Sequence, residues 1–313
     1  MKLIDMISGA IRAAAGALLV TFVAMAAAAQ DRNENYAIFV SQRNGAAELY
    51  LLDLNSRHVS QLTNTGRGHM AASVASGGRS VVFAAREGAS YEIFSGTMSA
   101  SWRTRRPAFI GMNRLTINTT EEFSPSVTAD GGTLAFVSGE GIELMSLNGS
   151  GRQVAVPSTE QHSDLCPAIS PDGSQIAFLS NRGGGYEIWL YARSNRAARK
   201  LTTGAAALGG LSWSSDGAQI VFTTAATASK LGGIAIANAA TGSFRVLTES
   251  NDFNPSLSHR GDRLLFTSMR GGDSEIYLMN LATGAIERLT VNPGLDDGAV
   301  FLTDPVRPAR ATQ

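Results

Sequence analysis

Residues 166–202 read CPAISPDGSQIAFLSNRGGGYEIWLYARSNRAARKLT, and residues 254–290 read NPSLSHRGDRLLFTSMRGGDSEIYLMNLATGAIERLT. The two stretches match nearly residue for residue. In each, a short apolar stretch (PAIS, PSLS) leads into a turn. A run then alternates apolar with small residues (QIAFLS, RLLFTS) at the period of two expected of a half-buried strand. A glycine-rich turn, a third strand (EIWLY, EIYLM) and a fourth segment ending in Leu-Thr complete the unit.

Working outward, the phenylalanine after the first turn recurs as Phe39, Phe83, Phe136, Phe178, Phe222 and Phe266, at intervals of 44, 53, 42, 44 and 44 residues. Nine residues after four of these anchors a carboxylate precedes an apolar residue, at Glu48, Glu92, Glu187 and Glu275, and Leu-Thr closes five units at Thr63, Thr116, Thr202, Thr248 and Thr290. Four antiparallel strands repeated at this period predict an all-β fold, a six-bladed β-propeller of four-stranded antiparallel blades, because each small sheet buries its faces only against its neighbours. Residues 36–63 supply three strands without an inner one, and DDGAVFL at 296–302 reads as an inner strand without a blade. The two fragments are expected to share one blade and close the ring, which removes two open sheet edges. Complete blades are expected at 64–116, 117–157, 158–202, 203–248 and 249–290.

These repeats resemble those of the TolB-type six-bladed propeller family, which also form the non-catalytic part of prolyl-oligopeptidase-like peptidases. The resemblance covers residues 36–302. It implies work in the periplasm beside an envelope partner, as the family's namesake partners the lipoprotein Pal. The α/β domain that precedes the namesake's propeller is expected to be missing, since only residues 30–35 separate the expected cleavage site from the first strand. A fused hydrolase domain is also expected to be missing, and no G-x-S-x-G occurs.

Lys2 and Arg12 flank an uncharged, alanine-rich stretch over 13–29 that ends in small residues. This predicts a cleaved signal peptide over 1–29, a propeller over 30–302 and a C-terminal tail over 303–313. The expected location is periplasmic or secreted, with no membrane span once the leader is cut. The 26 basic and 26 acidic side chains balance, which disfavours nucleic acid as a partner. Cys166 is the single cysteine, so no intrachain disulfide forms, and a small buried side chain is its expected role.

Propellers bind ligands at the mouth of the central channel. Fourteen residues before the anchors stand His69, Glu122, Asp164, Leu208 and Asp252, and aligning DDGAVFL with DFNPSLS adds Asp296. If these side chains point inward, the carboxylates form a negative ring that would attract a cation such as calcium or a basic peptide. Alternatively, each caps a turn between blades. The histidines show no transition-metal spacing. Blade two carries an insertion with Trp102, Arg103, Arg105 and Arg106, which suits an acidic partner surface or a solvated hairpin. The function expected is that of a protein- or peptide-binding module of the cell envelope acting through its channel face. A hydrolase or lyase of sugars or related small molecules, acting at the same channel, is the alternative.

Overall fold

In the computed structural model, residues 34–75, 78–99, 108–118, 120–227 and 231–302 are described. The expected leader, the tail, and Trp102, Arg103, Arg105 and Arg106 of the blade-two insertion lie outside these residues. The described chain forms six four-stranded antiparallel sheets, and among the described residues there is no helix. Five sheets are consecutive in sequence. The sixth, blade 1, places Asp296–Leu302 beside Tyr36–Ser41, with Tyr36 opposite Leu302 and Ser41 opposite Asp296. The two ends of the propeller thus close one blade non-covalently, as the two sequence fragments predict.

The phenylalanine repeat has a packing cause. Six apolar clusters fill the six interfaces between blades. Phe39 packs with Leu265 and Ile276 of blade 6, Phe83 with Ile38 and Leu49 of blade 1, and Phe136 with Val82 and Ile93 of blade 2. Phe178, Phe222 and Phe266 do the same against the blades before them. Each anchor is fully buried and faces the preceding blade, while the residue beside it in the strand faces the following one. Both faces of every sheet are therefore core. Burying one phenylalanine side chain contributes about 1.5–3 kcal/mol, so the six anchors supply a large share of the packing that holds neighbouring blades together.

The inner strands are His69–Val74, Phe123–Val127, Asp164–Ile169, Ala207–Trp213, Asp252–Leu257 and Asp296–Leu302. All six break register with their neighbour at the same place. There one residue turns to positive φ: Ala71, Ser124, Cys166, Gly210, Asn254 and Gly298. The bulge bends each inner strand near the axis. At Gly210 the neighbours demand glycine, since a Cβ would stand 2.8 Å from the Asn254 Cα and 2.9 Å from the Pro255 Cδ.

Candidate functional site

Antiparallel alternation gives the propeller two unlike faces. The loops between blades and the hairpins joining second to third strands lie on one, here the entry face, because inner strands begin there. The SPDG-type turns and the hairpins joining third to fourth strands lie on the opposite, turn face.

His69, Glu122, Asp164, Asp252 and Asp296 all stand at entry-face starts of inner strands, and all are buried. Each carboxylate meets its own arginine. Arg43 Nη2 donates to Asp296 Oδ2 at 3.0 Å, Arg182 Nη2 to Asp164 Oδ2 at 2.5 Å, and Arg270 Nη2 to Asp252 Oδ2 at 2.7 Å. These arginines end a Ser-x-Arg step, in which the arginine Nε donates to the serine hydroxyl, Ser41, Ser180 or Ser268, at 2.9 Å in each case. Each guanidinium also lies over two neighbouring rings, the anchor phenylalanine and Tyr50, Trp189 or Tyr277. In blade 3, Arg152 reaches across Phe136 to Glu122 at 2.7 Å and to Glu143 at 2.6 Å.

Blades 2 and 5 depart from this rule together at both positions. Four residues after the anchor they carry Glu87 and Ala226 instead of arginine, and at the acid position His69 and Leu208. His69 Nε2 instead faces Glu48 Oε2 of blade 1 at 3.0 Å and Thr65 Oγ1 at 2.8 Å, and burial lowers its pKa below the ordinary histidine value. Burial raises the pKa of Asp296, against the pull of Ser41 and Arg43.

A second set of carboxylates caps the loops between blades. Thr116, Thr202 and Thr290 donate through Oγ1 to Glu92, Glu187 and Glu275 at 2.7, 2.7 and 2.5 Å, and accept the next backbone N–H. The other carboxylate oxygen accepts N–H groups from the loop that follows: Thr65 and Gly66 on Glu48, Asn118 on Glu92, Gly204 on Glu187, and Asn292 on Glu275. The sequence shows both halves of this clamp, the glutamate and the closing Leu-Thr, but their spacing alone does not reveal that they bond.

The accessible chemistry of the entry face follows from this burial pattern. The carboxylates lie beneath and the guanidiniums above: the side chains of Asp296, Asp252 and Glu275 are 0% exposed, and those of their partners Arg43, Arg270 and Arg288 are 21%, 27% and 30% exposed. The face also carries apolar groups. Of twelve exposed large apolar side chains among the described residues, Met70, Ile117, Leu208, Leu231, Met269, Val291 and Leu295 lie on it. The other five lie along outermost strands, and none occupies a turn of the opposite face.

Cys166 sits at the bulge of its inner strand. Burial raises its thiol pKa, against hydrogen bonds to Ser124 and the Gly210 backbone, so it is no ready thiolate. Near it in the throat, Asn254 Nδ2 donates to Asp297 at 2.9 Å. Among the described residues, no three His, Cys, Asp or Glu side chains gather in a metal-holding group.

No family profile matches the chain. A protein TolB homolog of Chlorobium chlorochromatii is 34% identical over 134 residues, which is 42% of this chain and 30% of that protein. The Tol-Pal system protein TolB of Anaeromyxobacter sp. strain K is 38% identical over 81 residues, 26% of this chain and 18% of that protein. Crystalline TolB from Acinetobacter baumannii superposes with a TM-score of 0.71 at 17% identity, covering 86% of this chain and 66% of that one. The chain is a TolB-like propeller. A putative TolB from Agrobacterium tumefaciens shares the fold at a TM-score of 0.64 and 16% identity, covering 88% of this chain and 100% of that one. An oligogalacturonate lyase in complex with manganese shares it at 0.55 and 16%, covering 79% and 86%. This TolB-like chain spans less than a third of the curated relatives it matches.

Proposed function

We propose that this TolB-like propeller is exported to the periplasm and binds a protein of the cell envelope through its entry face, around the channel mouth. The observation that carries the reading is the confinement of loop-borne exposed apolar side chains to this one face, beside partly exposed arginines. Apolar and guanidinium groups together are the composition of protein-binding surfaces, whereas a solvated face needs neither. The name of a relative, Tol-Pal system protein TolB, supports a partner in the cell envelope. Among the described residues no helix is long and apolar enough to cross a membrane.

The test is expression with a C-terminal tag in a Gram-negative host, followed by osmotic shock and chemical cross-linking. The expected result is a chain in the shock fluid that begins near Gln30 and forms an adduct with an envelope protein. An intact Met1 chain retained in the cytosol, with no adduct, contradicts the reading.

A further inference from the structure

The seam where blade 6 meets blade 1 gathers both kinds of accessible group. The loop from Thr290 to Asp296 crosses it and is held at both ends. On the blade 6 side, the Asn292 N–H donates to Glu275 at 2.8 Å. On the blade 1 side, the Gln42 N–H donates to the Leu295 carbonyl at 2.9 Å, and Gly294 packs so closely that a Cβ would stand 2.8 Å from the Arg43 nitrogen. The neighbouring blade 6 hairpin lies against Arg288, whose Nη1 would be 2.8 Å from a Cβ on Gly271.

Met269, Val291 and Leu295 are therefore exposed on ordered backbone, at 51%, 78% and 50%, beside Arg43, Arg270 and Arg288. Little conformational freedom is left to lose on binding. The carboxylates that neutralise these arginines are buried below them, and Asp273 is the exposed acid of the adjoining hairpin. The internal bonds of Arg43 and Arg270 use Nε and Nη2, so Nη1 stands outside them.

We infer that this seam is the docking site for a segment of the partner protein that alternates apolar and acidic side chains. The apolar groups would cover Met269, Val291 and Leu295, and the carboxylates would take the outer edges of the guanidiniums. The inference rests on the entry-face reading above and narrows it to one sector and one charge.

The probe is a short fluorescein-labelled peptide of alternating leucine and glutamate, compared by fluorescence polarisation with its leucine–lysine counterpart. The acidic peptide should bind at least about tenfold more tightly than the basic one, and more weakly as salt is added. Val291→Glu should weaken it about tenfold, whereas Ile117→Glu, on the same face at the far blades 2 and 3, should not. Both sites are highly exposed, so both variants should melt like the parent. Absence of binding, or no preference for the acidic peptide, overturns the seam proposal. A loss at Ile117 alone overturns the seam but leaves the entry face standing. Binding indifferent to both substitutions contradicts both readings.

Discussion

Arg270 and Asp252, eighteen residues apart in sequence, meet at 2.7 Å with the guanidinium 27% exposed and the carboxylate at 0%. The pair is lopsided: one charge keeps contact with water and the other relies wholly on its partner. Arg43 and Asp296 divide their exposure in the same way, with Asn292 Nδ2 as a second donor to the buried acid at 2.7 Å. Negative charge at the inner-strand starts is thus matched one arginine at a time, and the group left for a ligand to meet is positive.

The lopsidedness predicts unequal mutational costs. Arg270→Gln strands a fully buried carboxylate and should cost about 3–5 kcal/mol, while Asp252→Asn leaves an arginine that can turn to solvent and should cost only about 1–2 kcal/mol. Urea melts of the two variants measure this directly. An equal or larger loss for Asp252→Asn would show that the acid serves some purpose beyond holding its arginine.

The clamp between blades gives a second prediction. Thr290→Val keeps the shape but removes the donor to Glu275 and the acceptor for the Ile276 N–H, both buried. It should cost about 1–3 kcal/mol. Thr241→Val, in an exposed turn-face hairpin, should change stability by less than about 0.5 kcal/mol. Chemical denaturation of both variants checks the contrast.

Stability should also depend on pH through His69. Burial against Phe83 and beneath Thr65 lowers its pKa, with Glu48 opposing and Arg67 reinforcing the shift. The unfolded chain then takes up a proton at a pH where the native chain does not, so stability falls as pH drops through about 6.5 toward the lower native value. Melting temperatures of the parent and His69→Gln between pH 7 and 5 should diverge in that direction, with the variant less sensitive to pH. A parent that gains stability on acidification relative to the variant contradicts the assignment.

Ring closure gives the fourth prediction. A chain ending at Pro293 lacks the inner strand of blade 1 and leaves Tyr36–Ser41 as an open edge beside an uncovered apolar face. It should lose several kcal/mol, a large share of the roughly 5–15 kcal/mol typical of a domain. Removing 305–313 should cost little. Equal melting temperatures for the two truncations would mean that the ring closes by other contacts.

Much of this was legible in the sequence. The anchor phenylalanines are visible because the interface with the preceding blade takes the same large buried side chain in every repeat, and the 296–302 fragment betrays the closure by matching inner strands elsewhere. Counting back from the anchors also finds the buried acids. What the count misses is their partners, since each arginine sits in the hairpin after the second strand, eighteen residues past Asp164 or Asp252 and 253 residues before Asp296, and reads as an ordinary loop residue. A signal was available: arginine stands four residues after the anchor in blades 1, 4 and 6, the blades with aspartate at the acid position, and not where that position holds His69, Glu122 or Leu208. The exposed apolar groups could not be found this way, because Val291 and Leu208 look like core residues until the fold places the first in a loop between blades and the second, exposed, at the start of an inner strand.

The central claim is that a partner engages the entry face and not the turn face. A photo-crosslinking amino acid placed at Val291 or Leu208 on the first, and at Thr241 on the second, tests it in living cells of a Gram-negative host. The account predicts an adduct with the same envelope protein from Val291 and Leu208 and none from Thr241. An adduct from Thr241, with Val291 and Leu208 silent, would contradict it.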